Sequence, residues 1–598
     1  MCGIFIVISK KKKIDKKNCF SVLENLKKRG PDDFKYNFYN NGLIFIGNTI
    51  LNITGKLNKK SSTPIKSQTS RYHIAFNGEI YNYKTLAKKY LKIEPNDKVS
   101  DTKILVDLHE KIKPKQIPIL LEGMFAYIVY DEATNEILIA NDTQGEKNLY
   151  MYQSKNEIIF SSNISSILKF NSKIKLNKNA IKNYFITRHL TPFNDTCYEN
   201  IKVLNPGSFL KVNGLNLKIK KEIFENPIDW IDIKRYKANL KLSELGATNK
   251  IENLLIKQAK KMIPKKKFAC ILSGGIDSSL QSAIINKIKK PNILATLHHD
   301  NKDEITKYIN KFQKFFTTKI YKINITPIKY FKDLISIYKN SMLPVYTHSV
   351  VGIHQISRFF KNKKCKVYFA ADGADELFGG YKIYEDLNWK SNNMSLSPYS
   401  SINKVISKKL KIKDNKYNRN INNFRNRVKM KYSFLKDKEE INIQTNLFCD
   451  YFIQSVKVGN ACNDMIGSDN SIEIRNIFVQ KDIIKEIINM PAKFKLNLSN
   501  KNNFKTKIIL KKLFVKYFDK EYVFKKQGFS GFPNEINKKS IMKFNHVIKI
   551  FNKSIVKKFK IYKDFEWKFI NIDLFKDTIL RKTQFGPQNK RISFTELK

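Results

Sequence analysis

Two domains of different texture are expected in this chain of 598 residues: an α+β first part built of strands in sheets, and an α/β second part around a parallel sheet. Three observations predict this. The length exceeds what one ordinary core fills, since domains commonly run about 100–200 residues. Up to residue 205, short β-rich runs recur between turn signals: GLIFIGNTI, YHIAFNGEIYN, GMFAYIVYDEATNEILIAND and NEIIFSSN. From about Leu242 long Lys-bearing helical patterns alternate with short apolar strands, FACILSGG and KVYFAADG, which is the βαβ rhythm of a parallel sheet.

Within the first part only residues 19–28 and 102–111 carry apolar residues at helical spacing, so two helices are expected there. The boundaries follow as 1–205 for the first domain, 206–245 for a linker, and 246–598 for the second. A strongly basic, weakly periodic stretch near 390–440 reads as a solvated helical insertion.

Composition narrows the function classes. Seven cysteines at 2, 19, 197, 270, 365, 449 and 462 show no CxxC pair or regular spacing, so neither a disulfide framework nor a zinc site is readable, and a reducing cytoplasm fits. No apolar run reaches the roughly 18 residues that cross a bilayer. The opening MCGIFIVISKKKK places its basic cluster after the apolar stretch, the reverse of a secretory signal, so no membrane partner and no export are expected.

The net charge of +58 invites a nucleic-acid reading. Its lysines are spread everywhere without a reader motif, so compositional bias explains them and a specific nucleic-acid role is set aside. An RNA-binding or RNA-modifying protein borrowing an ATP loop is the alternative of a different class; it leaves Cys2 and NGEIYN without a task. The positive field should still draw anionic substrates.

Cys2 is the first chemical candidate. Methionine before a small side chain is normally cleaved, which leaves a thiol beside a free α-amine. With a pKa of about 7.7–8.0, that amine can take the sulfur proton or pass one to a leaving amine. Asn77 and Gly78, in NGEIYN at a strand end, offer a side-chain amide and a backbone NH as oxyanion-hole donors. Asp101, at a helix start, can receive a substrate ammonium or serve as that helix's N-cap.

The second candidate is FACILSGGIDSSL, an apolar strand, a Gly-Gly turn and a helix start. Ser273, Gly274, Gly275 and Ser278 form a pyrophosphate cradle, because backbone NH groups at a helix N-terminus favour phosphate. Asp277 beside it suggests Mg²⁺. KVYFAADGADELFGGY supplies a second carboxylate, Asp375, at another strand's carboxyl end, where ligands sit in open parallel sheets.

MCGIF, RGPD, NGEIYN, SD, EGMFAYIVYD, SGGIDS, ADGADE and KKQGFS, in this order, resemble the glutamine-hydrolysing asparagine synthetases. The resemblance implies an N-terminal-nucleophile αββα sandwich followed by a Rossmann-like ATP-pyrophosphatase domain. It implies that Cys2 attacks the glutamine amide, with Arg29, Asn77, Gly78, Glu79 and Asp101 holding glutamine. ATP, contacted by Leu272, Ser273, Gly274, Gly275, Asp277, Ser278, Thr296, Ala370 and Ala371, would adenylate aspartate. Mg²⁺ would sit on Asp277 and Asp375, Asp372 would face the ammonia, and Lys526 would stabilise the leaving pyrophosphate.

The implied partners are glutamine, aspartate and ATP, and a homodimer is compatible with the resemblance. Ile50 stands where the family commonly has the arginine that pairs with the glutamine carboxylate, which turns attention to Arg29. The altered ADGADE and EIRNIF neighbourhoods leave room for another carboxylate acceptor, such as a sugar acid. An ammonia-dependent synthetase is a further alternative.

Overall fold

A computed structural model describes residues 1–53, 64–94, 99–187, 194–298, 309–345, 347, 349–391, 416–497, 505–518, 522, 568, 571–572 and 574–579. The β-rich runs of the first part assemble into two six-stranded sheets. One has the order Ile201–Val203, Tyr150–Gln153, Glu157–Ser161, Gly3–Ser9, Ile44–Ile50, Asp33–Tyr39. The other runs Ile219–Ile223, Ser208–Asn213, Glu136–Asn141, Gly123–Asp131, Tyr72–Ile80, Ile65–Lys66.

Strand periodicity explains how they stack. Ile4, Ile6 and Ile8 point from the first strand into a core shared with Ala126, Ile128, Ile137 and Ile139 of the facing sheet. Phe5 and Val7, on the opposite face, pack under Val22, Leu23 and Leu26 of the helix Lys16–Leu26. The second sheet's outer face, with Ile74, Phe76, Tyr127 and Val129, is covered by Ile104, Leu105 and Leu108 of Asp101–Lys111. Four layers result, helix, sheet, sheet and helix, and both faces of the first strand are buried.

Two expectations change. Helices Ile164–Phe170 and Lys178–Thr187 join the two anticipated ones; the first, with seven residues, is too short to display a helical period. Strands Ser208–Asn213 and Ile219–Ile223, assigned beforehand to the linker, complete the second sheet against Glu136–Asn141. The exposed outer strand is IKKEI, and its lysines hide the β pattern.

The second part centres on a five-stranded parallel sheet in the order Ile320–Asn324, Ile293–His298, Ala269–Ile271, Val367–Ala370, Glu473–Asn476. From Ala269–Ile271 the chain first adds strands to one side and then crosses to the other. The crevice between Ala269–Ile271 and Val367–Ala370 is therefore a topological switch point, open at the strands' carboxyl ends.

The basic insertion is less solvated than expected. Residues 392–415 lie outside the described ones, but the helix Lys416–Lys431 buries Ile421, Phe424 and Val428 in the second domain's core. Among the described residues no helix is long and apolar enough to cross a membrane.

Candidate active sites

Cys2 leads into the strand Gly3–Ser9, and it is the one cysteine of seven that is not buried. Its surroundings still desolvate the thiol and push it above its usual range, a shift that the neighbouring chain-terminal amine opposes. The Cys2 backbone NH donates to Asn77 Oδ1 at 3.0 Å. With Oδ1 so engaged, Asn77 Nδ2 is directed elsewhere, and it is buried without an acceptor among the described residues.

A buried amide NH₂ lacking an acceptor costs free energy unless something arrives to accept it. Next to it, Gly78 has φ +151°, and a Cβ there would lie 2.0 Å from the Met124 carbonyl oxygen, so only glycine fits beside the strand Gly123–Asp131. Asn77, one of the two expected donors, thus contacts the Cys2 backbone, and Gly78 follows it in the strand.

Glu79 and Asp101 lie nearby. Asp101 accepts from the Ile80 NH at 3.1 Å and the Thr102 NH at 2.7 Å, while burial raises its carboxyl to about 6. It is not the N-cap; Ser100 is, accepting from the Lys103 NH at 3.1 Å. Burial lifts Glu79 to about 8, only partly opposed by Arg475.

Arg29 is already engaged. Its Nε donates to the Cys2 carbonyl at 2.9 Å, and its Nη2 donates to both oxygens of Asp464 at 3.0 Å. To hold a substrate carboxylate it would have to share or surrender Asp464. Asp464 comes from the second half of the chain, as do Glu473 and Arg475 of the EIRNIF stretch, and sequence assigned none of the three to the Cys2 site.

Together these side chains close a buried ring of ionisable groups. Lys147 lies 3.9 Å from Asp464 and 3.5 Å from Glu473. Arg475 pairs with Glu473 at 2.9 Å and with Glu79 at 3.2 Å, and Glu79 leads back through Gly78 to Asn77. Burial pushes Glu473 up, but Lys147 and Arg475 outweigh it and hold the carboxyl at about 2. The wall of the Cys2 site is thus made jointly by both halves.

The loop after Glu136–Asn141 is organised by one carboxylate. Asp142 accepts from the backbone NH groups of Phe125, Gln144, Glu146 and Lys147 at 2.8–3.1 Å. This places Lys147 in the ring and Glu146 against Gln480, whose amide donates to it at 3.0 Å.

The second site lies at the switch point. Ser278 Oγ accepts from the Ser273 NH at 3.1 Å and lies 2.8 Å from Ser273 Oγ, so the turn after Ala269–Ile271 holds its own shape. Gly275 caps the helix Ile276–Ile288 without a side-chain bond, which leaves first-turn NH groups for an anion. Leu272 is buried and its NH donates to the Ala295 carbonyl at 2.9 Å; Thr296 is buried on the neighbouring strand.

Beyond Val367–Ala370, which ends at Ala370, the chain passes Ala371 and brings Asp372 and Asp375 to the same crevice. Asp372 Oδ2 accepts from Asn463 Nδ2 at 2.7 Å, and the Asp372 NH donates to Asn476 Oδ1 at 3.1 Å. Burial raises its carboxyl, the two asparagines oppose the shift, and Asp375 and Asp277 add to it.

Asp277 and Asp375, on the two sides of the switch point, meet at one cation. Lys507 Nζ lies 2.5 Å from Asp277 Oδ2 and 2.6 Å from Asp375 Oδ1. Sequence reading missed Lys507 because it is one of 111 Lys and Arg residues. Lys526, the lysine singled out instead, lies outside the described residues.

Comparison with known proteins agrees with this two-part organisation. A family model described as a glutamine amidotransferase domain matches residues 1–222, and one described as asparagine synthase matches residues 250–560. A Methanocaldococcus jannaschii protein provisionally named glutamine-hydrolysing asparagine synthetase 2 is 28% identical over 412 residues, covering 64% of this chain and 76% of that one. Asparagine synthetase 1 of Bacillus subtilis is 25% identical over 395 residues, covering 64% and 57%. The Bos taurus asparagine synthetase is 24% identical over 407 residues, covering 64% and 67%.

Proposed function

Since this chain belongs to the asparagine synthase family and carries a glutamine amidotransferase domain ahead of the synthase part, we propose that it makes asparagine from aspartate, ATP and glutamine. The observation that carries the glutamine half is the orphaned Asn77 amide beside Cys2. Once Met1 is removed, the nitrogen now donating to Asn77 Oδ1 becomes the Cys2 α-amine. It takes the thiol proton as sulfur attacks the glutamine amide carbon. Asn77 Nδ2 and the Gly78 NH receive the developing oxyanion, the C–N bond breaks, and ammonia departs with the proton. Water then cleaves the thioester to release glutamate.

Glu79 and Asp101 hold the glutamine ammonium in this reading. Met1 itself is buried against Gly467 of the synthase half, where a Cβ would lie 2.6 Å from Met1 Cε. Its removal vacates space between Cys2 and that half, a short passage for ammonia.

In the synthase half, the aspartate β-carboxylate attacks the α-phosphorus of ATP and pyrophosphate leaves; ammonia then attacks the acyl carbon and AMP leaves. The cradle around Ser273, Gly274, Gly275 and Ser278 takes the phosphates. Two carboxylates that already converge on one cationic position suit Mg²⁺, which prefers one or two carboxylates plus phosphate oxygens. Bound there by Asp277 and Asp375, the ion would neutralise charge on the departing pyrophosphate. Asp372, its carboxyl raised by burial, would take the proton ammonia loses. Lys526 keeps the role the resemblance implies.

Incubation with ATP, Mg²⁺, glutamine and aspartate is expected to yield asparagine, glutamate, AMP and pyrophosphate. AMP release only with a different carboxylate would reject aspartate as acceptor. Cys2→Ala and Asn77→Ala are expected to suppress glutamine-driven synthesis, the latter by about 10²–10³-fold in kcat, while ammonium-driven synthesis persists. A second reading, synthesis from free ammonia, draws support from Ile50 and from the engagement of Arg29 with Asp464. It predicts a Cys2→Ala enzyme that matches wild type with either nitrogen source.

A further inference from the structure

Lys507 stands where local physics disfavours a lysine. Its backbone is left-handed, with φ +50°, a region costly for a side chain with a Cβ. It immediately precedes the helix Ile508–Phe518, so its charge sits at the positive end of the helix dipole. The ammonium is buried, with 5% of the side chain exposed. Each of these penalties needs an offset, and the carboxylates of Asp277 and Asp375 provide it.

One neighbouring position is shaped to this arrangement. A Cβ at position 380 would lie 1.9 Å from Lys507 Cε and 2.0 Å from Asp375 Oδ1, so the absence of a side chain at Gly380 is what lets lysine and aspartate meet. Asp277 and Asp375 come from opposite sides of the switch point. Lys507 thus ties together the two carboxylates assigned above to the metal.

We propose that Lys507 makes metal entry conditional on nucleotide: it occupies the metal position as an internal cation and yields it only when a triphosphate arrives. The inference rests on the reading of Asp277 and Asp375 as metal ligands. The Lys507 ammonium offsets part of the carboxylates' charge, and a divalent ion added alone would stand in a buried site beside that fixed ammonium. The triphosphate brings the missing negative charge, so the metal and Lys507 can then share the crevice. Lys507 is on this account a positioning residue, which keeps the seat assembled and closed to free divalent ions.

The test is Mn²⁺ binding to the full chain, followed by the electron paramagnetic resonance of free Mn²⁺, with and without α,β-methylene-ATP. Wild type is expected to bind Mn²⁺ at this seat only with the nucleotide analogue. Lys507→Met is expected to bind Mn²⁺ without it, at least about tenfold more tightly than wild type, as removal of a unit charge a few ångströms away demands. Lys507→Arg, which keeps the cation, should follow wild type.

The proposal is overturned if wild type binds Mn²⁺ alone as tightly as with the analogue, a result that needs no variant. It is equally overturned if Lys507→Arg behaves as Lys507→Met does. If Asp277→Asn and Asp375→Asn leave nucleotide-dependent Mn²⁺ binding unchanged, the metal-ligand reading itself fails, which is a separate outcome.

Discussion

Seven cysteines share one chemistry, and their surroundings divide them: six are packing residues whose thiols burial keeps protonated or enclosed, while Cys2 keeps an opening toward solvent beside a preset amide. Glu79 shows the same dependence on surroundings. Held at about 8 by burial, it carries a proton in the free protein at pH 7. The ammonium of glutamine favours the ionised form, so binding should expel that proton. Glutamine affinity is then expected to rise with pH up to about 8 and to level off above it. Calorimetric titration of Cys2→Ala in buffers of different ionisation enthalpy would measure the proton released; uptake of a proton, or no exchange, would contradict the assignment of Glu79.

Elements matter here mainly through where they end. The parallel strands Ala269–Ile271 and Val367–Ala370 are short, yet being neighbours at a switch point they deliver Asp277 and Asp375 to a common place. The loop after Glu136–Asn141 depends instead on one side chain. Asp142 satisfies four backbone NH groups from within a buried loop, so Asp142→Ala strands four donors. The expected loss is at least about 3 kcal/mol in urea unfolding, with Asp142→Asn milder because one accepting oxygen remains. A change below about 1 kcal/mol would mean that water replaces the carboxylate without cost.

At the scale of the whole molecule, the two halves are joined by charge as well as by apolar contact. Arg29 and Asp464, each 2% exposed, belong to different halves and pair across the Cys2 site. Breaking a buried pair by removing one partner leaves an uncompensated charge. Asp464→Asn is therefore expected to cost about 3–5 kcal/mol in thermal or urea unfolding. The double variant Arg29→Met with Asp464→Leu should lose much less, since Lys147, the other cation beside Asp464, keeps Glu473 as its partner. If the double variant proved as damaging as the single, the contribution would lie in shape and not in charge.

How much of this was legible beforehand depends on whether the signal was local. The sandwich strands, the helix over 102–111, Cys2 with Asn77 and Gly78, the SGGIDS turn and the ADGADE carboxylates all announce themselves over a few residues, because strand alternation, helix starts and glycine turns are short-range properties. The outer strand Ile219–Ile223 was missed because an exposed edge carries lysines, and the helix Ile164–Phe170 because seven residues barely make a period. Asp464 and Lys507 had no local mark at all, Lys507 being one of 111 Lys and Arg residues, and the EIRNIF stretch with Glu473 and Arg475 pointed to the acceptor and not to the Cys2 site. Charge pairing acts through space over a few ångströms and is indifferent to separation along the chain. The sequence by itself determined the two architectures and the reactive motifs; only the tertiary structure decided which charges meet, and hence that the synthase half walls the Cys2 site and that a lysine sits between Asp277 and Asp375.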